Sequence, residues 1–253
     1  MEYGSITSYI DVAQVALYLF WGFFAALIYY LHRENKREGY PLESDRSPHI
    51  VVQGYPPVPE PKAYRLHDGT VIYAPRKEAP EQVNGTPVNT FPGAPIEPNG
   101  DPMTAGVGPG AYARRSNKPD LTADGRPKMV PLRADPEFWV AEEDPDPRGF
   151  AVIGADGAKA GTVADVWVDR AEVLFRYFEV DIGGRTVMLP VTFSRVDAEA
   201  REVNVDSILA AHFAGVPAIA NRDTITLLEE ERVAAYYGAG TLYAKPERQG
   251  PLL

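Results

Sequence analysis

The chain has no cysteine. That absence excludes disulfides, thiolate nucleophiles, cysteine-held zinc or iron–sulfur sites and covalently attached haem. Histidine is scarce as well, with 4 in 253 residues, and His32, His49, His67 and His212 show no metal-ligand spacing. Gly-x-Ser-x-Gly, P-loop and His-Glu-x-x-His patterns are also missing, so no hydrolase or phosphoryl-transfer set is visible. Basic charge is in deficit, 25 Lys+Arg against 35 Asp+Glu for a net −10, which excludes nucleic acid as a phosphate-backbone partner. An apolar share of 45% with 24% charged residues is ordinary for a folded protein and argues against global disorder.

One long hydrophobic run is present. Residues 12–31, VAQVALYLFWGFFAALIYYL, contain a single strongly polar side chain, Gln14, and reach the length that crosses about 30 Å of hydrocarbon as helix. Glu2 and Asp11 precede the run without a base, unlike a cleaved signal peptide. His32, Arg33, Lys36 and Arg37 follow it, so the positive-inside rule places residues 1–11 outside and the bulk of the chain in the cytoplasm. Tyr29, Tyr30 and Tyr40 fit an aromatic belt at the inner interface, and Tyr3 and Tyr9 one at the outer. Tyr30, Arg33, Arg37 and Tyr40 are the candidates for contact with membrane lipids. Gly22 and Ala26 share one helical face beside Ala25, which either lets a partner helix approach closely or is filler facing lipid.

Residues 32–135 read as an extended surface segment. Of 24 prolines, 18 fall between Pro41 and Pro136, which excludes long helices and central strands. Val51, Val52, Tyr55, Phe91, Ile96, Met103 and Val107 are too many apolar side chains for a solvated linker, so an ordered strap packed partly on other chains is expected. Residues 63–66 and 70–74 flank His67-Asp68-Gly69 and form a small hairpin. Gly106-Val-Gly-Pro-Gly-Ala111 satisfies a dinucleotide fingerprint formally, but no strand precedes it and Pro109 interrupts the helix it would open; the glycines read as loop punctuation.

Residues 136–253 form a β-rich domain. Apolar alternation over 162–168, 173–182 and 185–191, with a short strand over 202–205, gives the rhythm of a meander or small barrel. Thr226 and Glu229 make a capping box for a helix expected to run to about Tyr237 and stop at Gly238 or Gly240. The acids Glu142-Glu143 and Asp144-x-Asp146 read as a solvated loop. On residues alone this is an acidic single-span protein with no visible chemistry of its own.

Phe20-Trp-Gly-Phe-Phe-Ala-Ala-Leu-Ile-Tyr-Tyr-Leu31 and the following Arg33-Glu-Asn-Lys-Arg-Glu-Gly-Tyr-Pro-Leu-Glu43 resemble the H subunit of the purple-bacterial photosynthetic reaction centre. The resemblance continues through Gly100-Asp-Pro-Met103, Gly106-Val-Gly-Pro109 and Gly161-Thr-Val-Ala-Asp-Val-Trp-Val-Asp169, then through Thr226-Leu-Leu-Glu-Glu-Glu231 and Gly240-Thr-Leu-Tyr-Ala244. It implies a single N-terminal transmembrane α-helix, an extended proline-rich segment and a mainly-β PRC-type barrel with a C-terminal helix. It also implies a bacterial inner, intracytoplasmic membrane location with the N-terminus periplasmic and the C-terminal domain cytoplasmic. The implied role is non-catalytic: capping the L and M subunits, which carry the bacteriochlorophyll, bacteriopheophytin, quinones and non-haem iron, and lining proton uptake to the secondary quinone. A cytochrome subunit and light-harvesting 1 polypeptides are left open as further partners.

Carried over from that family, Val-Asp-x-x-Glu-x-x-x-Arg places the relay acid on Glu172, its partner base on Arg176 and the preceding acid on Asp169, with Asp124 aligned to a surface acid where protons are taken up. Without the resemblance Asp169 and Glu172 read as ordinary hairpin-turn residues. Some members carry His-Gly-His after the Asp-Gly, whereas this chain has Asp124-Gly-Arg-Pro-Lys128, so neither a metal site nor imidazole-assisted uptake transfers. A membrane-anchored PRC-barrel adaptor is the alternative from another class.

Overall fold

The computed structural model describes residues 6–7, 9–44, 47–75, 83–91 and 93–250; the expectation for Tyr3 lies outside them. The chain divides into two compact units.

The first unit opens with α1, Val12–Asn35, whose 24 residues span about 36 Å at 1.5 Å per residue. Asp11 caps it by accepting the Gln14 backbone N–H at 2.7 Å, while Gln14 Oε1 accepts the Asp11 N–H at 3.4 Å. The one strongly polar residue of the apolar run therefore closes a capping box. The helix extends past the expected Leu31 to Asn35, and Glu34 in its last turn pairs with Arg37 just beyond its end at 2.9 Å. It is long and apolar enough to cross a membrane, and no residue of it is buried among the described residues.

Beyond α1 the cations turn inward. Lys36 is buried, donating to the carbonyls of Gln53 at 2.7 Å and Pro56 at 2.6 Å with its ammonium 5.0 Å from the Tyr40 ring centre. Arg37 donates to the carbonyls of Glu60 and Ala74. These contacts fasten two small hairpins, β1 (Leu42–Ser44) with β2 (Ser47–Val52) and β3 (Lys62–Arg65) with β4 (Val71–Ala74). The second is the hairpin expected from His67-Asp68-Gly69, its turn held by the Thr70 N–H on Asp68 Oδ1 at 2.9 Å.

The second unit contains β5 (Gly85–Pro87), β6 (Ile96–Pro98), β7 (Met129–Pro131), β8 (Ala151–Ile153), β9 (Lys159–Asp169), β10 (Leu174–Asp181), β11 (Thr186–Pro190), β12 (Arg195–Asp197), β13 (Glu202–Asn204) and α2 (Leu227–Tyr243). β5 and β6 pair by themselves. The main sheet runs β11-β10-β9-β8-β13-β12, with β7 joining β9. β9 is long enough to pair β8 through Lys159, Gly161 and Thr162 and β7 through Trp167 to Asp169. Val163, Val166, Trp167, Val180, Met188 and Leu189 fill the core beneath α2.

Two expectations are corrected here. The C-terminal unit begins well before residue 136: Met103, Val107 and Val130 are buried and β7 belongs to its sheet. Proline permits this because β7 is only three residues long and ends in Pro131. Val51, Val52, Tyr55, Phe91 and Ile96 remain exposed. The second correction concerns α2, which passes straight through Gly238 and Gly240 to Tyr243. A Cβ at Gly238 would strike the Pro109 carbonyl, and one at Gly240 would strike Ile208 and Ser207. Facing them, Gly110 leaves only 3.0 Å for a Cβ against that of Ala239. Gly110 and Gly238 are thus two sides of one close helix–loop contact, while Gly240 lets the Ser207–Ile208 segment approach α2.

Arg133 ties the sheet to its surroundings. Its Nη1 donates to Asp165 Oδ2 at 3.0 Å and Glu179 Oε2 at 2.6 Å, the latter also accepting Trp167 Nε1 at 3.0 Å. Both acids are buried, so this shared guanidinium is what lets two carboxylates sit among the core strands.

Candidate functional site

The site is built on the turn between β9 and β10. Asp169 ends β9, and its Oδ1 accepts the N–H groups of Ala171 at 2.9 Å and Glu172 at 3.0 Å, while its carbonyl accepts the Val173 N–H at 2.8 Å. This five-residue turn puts Val173 at φ +55°, buries Asp169 and swings Glu172 outward. Asp169 therefore does the work of a turn residue with one oxygen and turns the other toward the neighbouring bases.

That second oxygen, Oδ2, faces two cations, Lys128 Nζ at 3.3 Å and Arg176 Nε at 3.8 Å. Arg176 also pairs with Glu172, four residues earlier, and Lys128 reaches Glu172 Oε1 at 3.6 Å and Asp120 Oδ2 at 3.8 Å. Three carboxylates thus share two cations. Burial pulls the Lys128 ammonium down, but the hydrogen bond to Asp169 and the charges of Asp169, Glu172 and Asp120 outweigh it and raise the group above its ordinary value.

A cleft of about 290 Å³ opens beside the cluster, lined by Asp120, Lys128, Asp169, Arg176, Tyr177 and Glu230 among others. Glu230, in the first turn of α2, accepts the Tyr177 hydroxyl at 3.1 Å. Its burial raises the carboxyl above its ordinary value, with the Tyr177 hydrogen bond and the Arg115 charge pulling the other way. A half-buried acid that holds its proton more tightly thus lines the same cleft as carboxylates paired to bases. Carboxylates and bases held this close to one another can exchange protons.

Asp169, Glu172 and Arg176, named together through the family resemblance, are neighbours in space. Asp124 has other partners: exposed in the 120–128 loop, it accepts the Thr122 hydroxyl and the Arg126 Nε, the latter at 2.6 Å. Those two hydrogen bonds, Thr122 first, hold its carboxyl below the ordinary aspartate value. Lys128, Asp120 and Glu230 were missed. Glu230 lies far from the β9–β10 turn in sequence, and Lys128 and Asp120 carry no local signal, since Lys128 meets Asp169 only when β7 joins β9.

In the first unit, Gly22 and Ala26 are exposed, and a Cβ at Gly22 would meet nothing within 4 Å. Tyr30 and Arg33 are likewise exposed. Arg37 and Tyr40 are partly occupied by their own chain, Arg37 with Glu34, Glu60 and Ala74, and Tyr40 beneath Lys36.

A chain with an apolar helix long enough to span a membrane, followed by a β-domain whose residues 140–211 match the PRC-barrel domain family, is a PRC-barrel protein built on a candidate membrane anchor. Residues 4–134, more than half of the chain, match the family described as photosynthetic reaction centre, H-chain N-terminal region. The chain belongs to the reaction-centre H-chain family, which is one of non-catalytic subunits. It is also similar to an uncharacterized protein of Deinococcus radiodurans, 43% identical over 56 residues, or 21% of this chain. That match spans 20% of the relative's own length.

Proposed function

We propose that this chain caps the L and M subunits of a photosynthetic reaction centre on the cytoplasmic side, stabilises them, and lines proton uptake to the secondary quinone. In this reading α1 crosses a bacterial inner membrane with its N-terminus periplasmic. The pigments, quinones and non-haem iron belong to L and M. A cytochrome subunit and light-harvesting 1 polypeptides would join the same assembly.

The observation that carries the proton role is the cleft in which Lys128 stands within 4 Å of Asp120, Asp169 and Glu172, with Glu230 on the same wall. Reducing a quinone to its quinol consumes two protons, which must pass through a protein interior where isolated charge is costly. Carboxylates held beside bases lower that cost by letting charge move in short steps. Glu172 is the outermost acid of the set, with a side chain 48% accessible, and burial raises the carboxyl of Glu230 above its ordinary value. Asp124 would serve uptake at the surface, with Arg126 supplying fixed positive charge rather than a titrating imidazole.

Purification of the full chain in mild detergent tests the reading. Bacteriochlorophyll and quinone that migrate with it are expected. A colourless monomer would overturn it and favour a membrane-anchored PRC-barrel adaptor.

A further inference from the structure

The loop that follows β2 returns to α1. The ring centres of Tyr55 and Tyr29 lie 6.3 Å apart, and Tyr29 belongs to the apolar run of α1, ahead of Leu31 and the cations that follow it. Lys36, at the end of the helix, fixes this return. Its side chain is buried, and its ammonium holds the carbonyls of Gln53 at 2.7 Å and Pro56 at 2.6 Å, one on either side of Gly54 and Tyr55. Side chains on a helix lean toward its N-terminus, so a loop fastened to that ammonium is drawn back along α1 to the level of Tyr29. Yet Tyr55 is 79% exposed. Leu42 and Val52, opposite one another across the β1–β2 hairpin and therefore on one side of it, are 51% and 50% exposed.

We propose that Tyr55, with Val52 and Leu42, enters the lipid headgroup layer where α1 leaves the bilayer, so that the β1–β2 hairpin and its following loop make a second, interfacial contact with lipid. This rests on α1 crossing a membrane, as proposed above. The depth follows from Tyr29: it stands at the inner end of the apolar run, where hydrocarbon gives way to headgroups, and a ring packed on it stands at the same height. Tyrosine suits that height, with an apolar ring for the acyl boundary and a hydroxyl for the headgroups. The loop goes no deeper, because Gln53 and Gly54 lie in irregular, exposed backbone that hydrocarbon does not accept. Lipid is the occupant that the helix itself indicates. Ile28, Tyr29, Tyr30 and Leu31 are all exposed, and four successive residues go right round a helix, so at this level apolar side chains open in every direction rather than in the single stripe that one protein partner would cover. The buried Lys36 holds the loop in place beforehand, so little ordering remains to be done on contact.

Because the chain lacks cysteine, a spin label can be placed at one position at a time. The full chain carrying Tyr55→Cys or Val52→Cys is labelled, reconstituted alone in vesicles of phosphatidylcholine and phosphatidylglycerol, and compared with Phe23→Cys in α1 and with free label in buffer. Collisions of the label with oxygen, which concentrates in lipid, are measured against those with a water-soluble nickel chelate. The oxygen-to-nickel ratio at both loop positions is expected to lie several-fold above the buffer value and below that at Phe23. The Val52 label in a Tyr55→Ser background should fall toward the buffer value; an unchanged ratio there would show that the label and not the loop seeks lipid, and overturns the proposal. The buffer value at either loop position, with Phe23 in hydrocarbon, overturns it and leaves the span standing, whereas the buffer value at Phe23 as well overturns the span itself. A loop ratio equal to that at Phe23, or one that rises only when membrane subunits are added, assigns the loop to hydrocarbon or to a protein partner, and the proposal falls.

Discussion

Lys128 Nζ lies 3.3 Å from Oδ2 of Asp169, a residue only 2% exposed. The pair joins the approach to β7 to the end of β9, and it is the hinge between fold and site: the ion pair that seats the carboxylate also places Asp120 and Glu172 around one ammonium.

Removing that ammonium should therefore cost stability. Lys128→Met leaves a buried carboxylate with Arg176 alone at 3.8 Å and is expected to destabilise the chain by about 1–3 kcal/mol, because an uncompensated buried charge outweighs the apolar gain. Lys128→Arg should recover part of it. Chemical unfolding of the detergent-solubilised chain measures both; a neutral Lys128→Met would contradict the role given to the pair.

Glycine to alanine inside a helix normally stabilises by about 1 kcal/mol. Gly238→Ala is expected to do the opposite here, a net loss of about 1–2 kcal/mol, because the added methyl meets the Pro109 carbonyl and forces α2 from the Gly108–Gly110 turn. A rise in melting temperature would show that the helix and loop can part at no cost.

The pH dependence of stability should carry the signature of Glu230. Burial raises this carboxyl above the ordinary glutamate value of 4.5, so the folded state binds its proton more tightly than the unfolded state does. Its favourable contribution is complete below that value and is lost as pH rises through the folded-state pKa. Glu230→Gln, which can still accept the Tyr177 hydroxyl, is expected to match the wild type near pH 4 and to melt higher near pH 8. Equal melting at both would contradict the raised value.

The exposed face of α1 at Gly22 gives an assembly prediction. If another helix packs there, Gly22→Leu fills the space it needs and should lower the yield of assembled complex several-fold while leaving the helical content of the chain unchanged. Wild-type yield would assign that face to lipid.

What could be read from the amino acids followed the range of the interactions. α1, the β3–β4 hairpin, β9 to β11 and the Thr226–Glu229 cap are set by neighbours in sequence, and they stand where hydropathy, turn residues and capping put them. The segment before residue 136 misled because proline argues against regular structure but not against burial; Met103 and Val107 are buried outside any strand. Gly238 and Gly240 misled because a helix-ending glycine and one that lets a loop approach look alike until Pro109 and Ser207 are in place. At the site, Asp169, Glu172 and Arg176 lie within one turn and its following strand, and the family resemblance singles them out where the residues alone read as an ordinary hairpin turn. Lys128, Asp120 and Glu230 arrive from other parts of the chain by sheet pairing and helix packing, which no local pattern encodes.

In the proposed function this chain conducts protons for a partner and performs no reaction itself. Flash-induced kinetics of Glu172→Gln in the intact complex test it most directly. The predicted result is a proton-coupled second electron transfer to the quinone slowed at least about tenfold, with the initial charge separation unchanged. Unaltered second-transfer kinetics at every pH would contradict it.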